Sequence, residues 1–300
     1  MRGFVTALRH LVVPGIAGSG LALLVGAALA AEPISFPSLS DGQIITAYYQ
    51  AADGEGQHPA VVLLHGCGGL IRNGGPSSFY QSWRDILGEA GYAVLMVDSA
   101  GSRGFGSTCG GGTVRKAMYE KRPGDAYAAL NYLQALPEVD PSRISLIGWS
   151  QGGGIVLLTV SSESIGRPQP APSPDFRAAV AFYPAACSKR LQSRPFTDVE
   201  PGNWSTVAPL LVLQGGADNW TLAAPCKTFV DSVRELGEDV EIVVYPDAVH
   251  SFDAPNMPVH ERLGLLTASG KPPLVGTDPE AREDAIKRVI AFLDQANGKP

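Results

Sequence analysis

The sequence predicts an α/β protein, a mostly parallel central sheet with helices on both faces. Short, continuous apolar runs recur along the chain, as expected of strands covered on both faces. Segments of helical periodicity alternate with them, the mark of βα units. A 45% hydrophobic fraction with mixed charges, no internal repeat and no shift in composition points to one globular domain after the first thirty residues.

Residues 43–50 read as an edge strand. The run 60–64 (AVVLL) is the next strand, apolar throughout. Residues 77–90 have helical periodicity and end at Gly91, and 92–97 form another buried strand. Residues 114–136 read as a helix broken near Pro123 and Gly124, because proline removes a donor and clashes inside a helix. Residues 143–149 (RISLIGW) are again strand, leading through a Gly-rich turn into an apolar helix that ends near Thr159. The stretch 161–175, rich in Ser and Pro, reads as a surface excursion. Strands follow at 178–183, 210–214 and 240–245, with a helix at 223–236. Residues 253–278 are Pro-rich and irregular, and 279–296 form a closing helix with Pro279 in its first turn.

The N-terminus reads as an export signal, residues 1–30. Arg2 and Arg9 make a positive start, 11–30 is almost wholly apolar or small, and Ala28-Leu29-Ala30 offers the small residues that signal peptidase requires. A retained membrane anchor is the competing reading, since the run approaches the length of a spanning helix. Pro14 and four glycines weigh against it. No Cys follows the cleavage site, so no lipid anchor is expected there. The remaining chain, 31–300, is then a single domain. Its periplasmic or secreted form has no stable membrane association. Formal net charge is −6 and no Lys/Arg cluster stands out, which excludes nucleic acid as the main partner. Oligomeric state is not readable.

Export decides how the cysteines are read. Cys67, Cys109, Cys187 and Cys226 form no C-x-x-C pair and have no cluster of His around them, so no metal site is expected. An even number in an exported chain favours two disulfides, with three connectivities open and four free thiols as the alternative. Cys67–Cys109 with Cys187–Cys226 is preferred, because each pair links loops at one end of the sheet.

The segment richest in chemistry is GWSQG, 148–152. It follows a buried strand and precedes an apolar helix. A serine on so tight a turn needs glycine two positions to either side, and the turn lifts its hydroxyl out of the sheet. A neutral hydroxyl needs a base, and the base needs an orienting carboxylate. On this topology they follow in the order Ser, acid, His. Asp218 comes directly after the strand LLVLQGG and His250 directly after VEIVVYP, both at strand C-terminal ends, where the sites of open α/β sheets gather. Asp218 could instead cap the helix near Thr221. Asp247 sits too close to His250 in sequence to be a comfortable alternative. Of the five histidines, His10, His58, His65 and His260 fall elsewhere.

Acyl transfer also needs donors for an oxyanion. The backbone N–H of Gln151, just after Ser150, is one candidate. Cys67 in His65-Gly66-Cys67-Gly68-Gly69 is the other, with Gly66 as its alternate. The same loop could be no more than a tight turn.

With these residues in place, the chain resembles the dienelactone hydrolase family of α/β-hydrolases from about residue 43 to the closing helix. The resemblance rests on LLHGCGG, GYAVLMVDS followed by Arg103-Gly104, DAYAALNYL, RISLIGWSQGG, FRAAVAFYP, PLLVLQGGAD and YPDAVHSFD. It implies the α/β-hydrolase fold, no cofactor, and cleavage of a small-molecule ester or lactone. Founding members carry a cysteine where this chain has Ser150, so it looks like a serine-bearing, exported branch, and dienelactone itself is not implied as substrate. Founding members also recruit arginines to a substrate carboxylate. Arg103 lies in a comparable loop, with a surface ion pair as its plainer role. Trp204 and Trp220 are candidates to line the pocket, while Trp149 is expected in the core. Pocket shape depends on the loops 101–113, 187–205 and 254–277. Peptidase, acyltransferase or perhydrolase chemistry would use the same three residues, and a non-catalytic envelope binding protein would need none of them.

Overall fold

The computed structural model describes residues 1, 3, 4, 32–110 and 112–298. The export signal expected at 1–30 therefore lies almost wholly outside the described residues. Met1–Ala30 and Ala31–Pro300 form separate units, and everything below concerns the second. Among the described residues no helix is long and apolar enough to cross a membrane.

The central sheet has eight strands: β1 (Glu32–Pro37), β2 (Ile44–Gln50), β3 (His58–Leu64), β4 (Ala93–Val97), β5 (Val139–Trp149), β6 (Ala179–Phe182), β7 (Leu210–Gly215) and β8 (Val240–Tyr245). Across the sheet they run β1-β2-β4-β3-β5-β6-β7-β8. β1 and β4 pair antiparallel with β2, and every other neighbouring pair is parallel. Among the described residues five α-helices complete it: α1 (Ser78–Glu89), α2 (Gly112–Gln134), α3 (Gln151–Thr159), α4 (Ala223–Arg234) and α5 (Pro279–Ala296). Asp278 caps α5 by accepting from the Ala281 N–H at 3.0 Å, just ahead of Pro279. This is the α/β-hydrolase fold that the sequence predicts.

Alternation along the strands explains why both faces are covered. Val62 and Leu64 on β3 point into a core shared with Leu130 of α2, Ile155 of α3 and Phe229 of α4. Val61 and Leu63 point the other way, toward Trp83 of α1 and Val289 of α5. Each such aliphatic side chain, when buried, contributes roughly 1.5–3 kcal/mol. Runs such as AVVLL are therefore apolar at every position, not at every second one.

Two elements differ from the sequence reading. Residues 44–50 are not the edge, because β1 pairs outside them. The prolines at 33 and 37 disguise β1 as a loop, yet an edge strand tolerates missing donors. α2 also runs unbroken through Pro123. Next to the proline, the carbonyls of Lys121 and Gly124 accept from Ser40 Oγ (2.9 Å) and the Leu39 N–H (3.4 Å). Gly124 leaves room for this strand connection, since a Cβ there would stand 2.1 Å from Ser40 Oγ.

Arg103, a candidate for a substrate carboxylate with a surface ion pair as its plainer role, makes an ion pair, but in the scaffold rather than at the surface. It closes a short 3-10 turn after β4 and forks onto Asp125 of α2, Nη1 to Oδ2 at 2.7 Å and Nη2 to Oδ1 at 2.8 Å. A second bond reaches Asp41 at 3.1 Å. Its side chain is 8% exposed and that of Asp125 is wholly buried. A bidentate pair of this kind fixes the turn to the helix. Arg103→Ala should cost about 3–5 kcal/mol, since it strands the Asp125 carboxylate in the interior. Urea unfolding measures this directly, and a loss below about 1 kcal/mol would show that the pair is not structural.

Candidate active site

Ser150 sits between the end of β5 and the start of α3 with φ 54 and ψ −114, outside the regions ordinary for an L-residue. The two flanking glycines make this turn possible. A Cβ on Gly148 would lie 2.4 Å from the Gly152 carbonyl oxygen, and one on Gly152 only 2.1 Å from that of Leu64. The first turn of α3 thus rests directly on the end of β3.

His250 follows β8, and its Nδ1–H donates to Asp218 Oδ2 at 2.7 Å. Both side chains are almost completely buried. Capping and orienting prove compatible in Asp218. Oδ1 accepts the N–H groups of Trp220 (2.7 Å) and Thr221 (2.9 Å), while Oδ2 takes the Thr221 hydroxyl and the imidazole. Burial works against ionisation of Asp218, but the His250 charge and these hydrogen bonds prevail and hold it below the usual carboxylate range. Asp247 is exposed and takes no part.

Ser150 and His250 line one small cavity of about 180 Å³. Among the described residues no hydrogen bond joins Ser150 Oγ to the imidazole. Such contacts commonly tighten only around a substrate. Ser150 also opens onto a larger cavity of about 530 Å³, bordered by Cys67, Gln151 and Tyr119. The Gly66 N–H is spent on Tyr80 Oη at 2.7 Å, which removes Gly66 as alternate donor. Neither the Cys67 nor the Gln151 N–H is engaged elsewhere among the described residues.

Both disulfides form in the preferred pairing, Cys67–Cys109 and Cys187–Cys226. Cys67, Cys109 and Cys187 all line the larger cavity. The Thr108 N–H donates to the Cys67 carbonyl at 2.7 Å, and its hydroxyl reaches Gln151 Oε1 at 2.9 Å. Behind them lies Arg122, wholly buried, which donates to Gln151 Oε1 (3.1 Å) and the His65 carbonyl (2.7 Å). Burial brings its guanidinium down to about 10. Burial and the Arg122 charge also push the His65 imidazole well below its ordinary value. His65 Nδ1 pairs with the Gly66 carbonyl and Nε2 with the Ala100 N–H, the pattern of a neutral ring.

Of the two tryptophans proposed for the pocket, Trp220 lines both cavities and lies 4.8 Å from the His250 ring. Trp204 does not. It is 1% exposed, packs on Phe229 of α4 and donates to the Leu157 carbonyl, because the chain after Cys187 folds back beneath α3. Arg103 lines neither cavity. Loop 187–205 supplies Leu191 and Phe196 to the larger one, and 254–277 supplies Met257 and Arg262 to the smaller.

The sequence reading missed Asp253. Its wholly buried carboxylate accepts from Trp83 Nε1, Trp149 Nε1 and Tyr183 Oη, each at 2.7 Å. Trp149 adjoins Ser150 in sequence, and the Tyr183 ring lies 4.4 Å from that of His250. Burial raises the Asp253 carboxyl despite the three donors. The only signal in the sequence is an acid three residues past His250, next to Phe252.

A model of the dienelactone hydrolase family matches residues 45–297. Over 160 residues the chain is 31% identical to the Escherichia coli K12 protein named "Putative carboxymethylenebutenolidase", covering 53% of this chain and 49% of that protein. Over 231 residues it is 28% identical to "Probable dipeptidyl-aminopeptidase B" of Metarhizium robertsii, covering 71% of this chain and 24% of the other. The chain thus spans a quarter to a half of these relatives. A dienelactone hydrolase-like promiscuous phosphotriesterase from metagenomic libraries shares its fold, with TM-score 0.63, 20% identity, and coverage of 89% of this chain and 99% of that one.

Asp253→Leu removes the common acceptor of three buried donors. Each orphaned donor costs roughly 1–3 kcal/mol, so the variant should lose about 3 kcal/mol or more. Asp253→Asn, which keeps an acceptor oxygen, should lose less. Equal losses in chemical denaturation would show that the hydrogen bonds are not what matters.

Proposed function

The chain belongs to the dienelactone hydrolase family, and on that premise we propose that it cleaves a carboxylic ester or lactone through Ser150, His250 and Asp218 by way of an acyl-enzyme. The observation that carries this reading is the 2.7 Å hydrogen bond from His250 Nδ1 to Asp218 Oδ2 beside a cavity shared with the strained Ser150.

In the proposed mechanism His250 Nε2 takes the Ser150 hydroxyl proton as Oγ attacks the carbonyl carbon. The Asp218 carboxylate holds the ring in the required tautomer and stabilises the imidazolium. The Cys67 and Gln151 N–H groups receive the negative oxygen of the tetrahedral intermediate. Imidazolium then protonates the departing alcohol, leaving an ester on Oγ. Water attacks that ester, giving its proton to Nε2, and collapse of the second intermediate returns a proton to Oγ with release of the acid. Two oxyanion donors fit this chemistry, and the Cys67–Cys109 disulfide tethers the loop that carries one of them.

We also propose that residues 1–30 direct export and are removed, leaving one catalytic domain in the periplasm or outside the cell. Two disulfides support an oxidising destination.

A second reading, a peptidase, is favoured by the likeness to the Metarhizium protein. The two separate on paired substrates of one acyl group. Turnover of a p-nitrophenyl ester with no turnover of the matching p-nitroanilide supports the esterase, and efficient anilide cleavage replaces it with the peptidase. Ser150→Ala should lower kcat on p-nitrophenyl butyrate by about 10⁴-fold or more, with an unchanged circular dichroism spectrum. Substantial residual turnover in that folded variant would reject Ser150 as nucleophile.

A further inference from the structure

The larger cavity, about 530 Å³, lies within the size range of pockets that enclose small organic ligands. Pro184, Ala185, Leu191, Phe196 and Leu222 give it apolar walls. Most polar side chains along it already have partners. Gln151 Oε1 accepts from Thr108 and Arg122, and the Thr221 hydroxyl is bonded to Asp218. Gln151 Nε2 has no partner but is sealed inside the wall, where no ligand reaches it. Arg115 and Lys116 are exposed to solvent, with Lys116 paired to Glu120.

Tyr119 differs from all of these. It lines the cavity and is only 7% exposed, yet among the described residues its hydroxyl meets no hydrogen-bond partner and is not sealed. Its ring is wedged between α3 and the loop 187–205. The Phe196 ring lies 5.6 Å away, and a Cβ at Gly154 would stand 3.4 Å from Tyr119 Cε1. The hydroxyl is therefore held in place before any ligand arrives. Burial pushes the phenol up to about 12, so it is a protonated donor at neutral pH. Arg115 and Arg122, on the same helix, add positive potential around it, which favours an electron-rich oxygen as partner. A donor fixed among apolar walls gains most from an acceptor delivered by the ligand itself. An uncharged oxygen can be brought there at far lower desolvation cost than a carboxylate.

The chemistry of the triad says which half of an ester meets Tyr119. His250 must hand its proton to the leaving oxygen, so the alcohol half lies on the His250 side. His250 lines only the smaller cavity, whereas Gln151 and Tyr119 line only the larger. The acyl half extends into the larger one. We propose that Tyr119 is the specificity-determining donor of an acyl subsite, so that the preferred substrate is an ester of an extended apolar acid carrying one uncharged oxygen acceptor along its chain.

This subsite rests on the triad reading, yet the triad does not set the ratio that tests it. The probes are p-nitrophenyl octanoate and its 4-, 5-, 6- and 7-oxo derivatives, with rates normalised to hydroxide hydrolysis. One oxo position should raise the wild-type kcat/KM over octanoate by roughly tenfold or more, and the others should lower it, because a carbonyl away from the donor is buried unpaired. Tyr119→Phe removes only the oxygen and should bring the favoured position to a ratio of about one or below. A ketone on the alcohol half, 5-oxohexyl octanoate against hexyl octanoate followed by acid release, should show no advantage that Tyr119→Phe removes. No favoured position in wild type, an advantage that survives Tyr119→Phe, or an alcohol-half advantage lost with the hydroxyl would each overturn the subsite. Every ratio is internal to one preparation, so partial misfolding does not mimic the result, and the wild-type scan decides alone if the variant does not fold. Absence of any ester turnover in wild type would overturn the triad reading, and the subsite with it.

Discussion

The contact between the first turn of α3 and the end of β3 is the constraint on which the candidate active site depends. With the Leu64 carbonyl oxygen 2.1 Å from where a Gly152 Cβ would be, no other residue fits without moving the strand. That closeness leaves only one residue for the reversal from strand to helix, and Ser150 takes it up with a positive φ. Strain of this sort costs about 1–3 kcal/mol. It is offset by α3 itself, every residue of which is buried. The same contact brings Gln151 alongside the loop after β3, so that one buried arginine, Arg122, can hold the His65 carbonyl and the Gln151 side chain at once. The spacing of the two oxyanion candidates is therefore set by the packing of helix on strand, not by the loops alone.

Two buried carboxylates support that site with opposite dependence on pH. Asp218 has a lowered folded pKa, so its contribution to stability is present above the unfolded value and lost as pH falls through the folded one. Asp253 has a raised folded pKa, so its contribution is present below the unfolded value and lost as pH rises through the folded one. A protonated Asp253 still accepts hydrogen bonds, which suits a group whose work is to gather two indoles and a phenol. Asp218 must be ionised to orient an imidazole. Placing both within a few residues of β7 and β8 gives the domain one acid that favours neutral solution and one that does not.

The strands of the parallel core and the strand ends occupied by Ser150, Asp218 and His250 are legible because they follow from local pattern: apolar runs, Gly spacing, and a polar residue just past a strand. What was illegible depends on contacts distant in sequence. The prolines of β1 hide a strand that only an edge would tolerate. Pro123 breaks helices in general, yet α2 runs through it, and the connection before β2 is bonded to the carbonyls on either side of the proline. Asp253 meets Trp83, 170 residues away, and nothing in the intervening sequence announces the pair. Trp204 is a pocket candidate by its place in loop 187–205, but a tryptophan serves a core equally well, and the fold of that loop buries it against α4.

The pocket walls raise a different problem. Residues 67–69, 106–110 and 184–196 lie beyond the strand ends, in loops, where local opening is easiest. Walls that open cannot hold an oxyanion donor in place, and preorganised donors are what such sites rely on. Both disulfides are spent here and neither in the sheet. Cys67–Cys109 closes a separation of 42 residues and Cys187–Cys226 one of 39. In a loop-entropy account each is worth about 4 kcal/mol against the unfolded chain. Their placement adds a second effect: one ties the candidate oxyanion loop to the chain leading into α2, and the other ties the wall of the larger cavity to α4. A sheet this well buried needs no crosslink. The loops that wall the cavities do, and a crosslink gives them rigidity without filling the cavity they enclose.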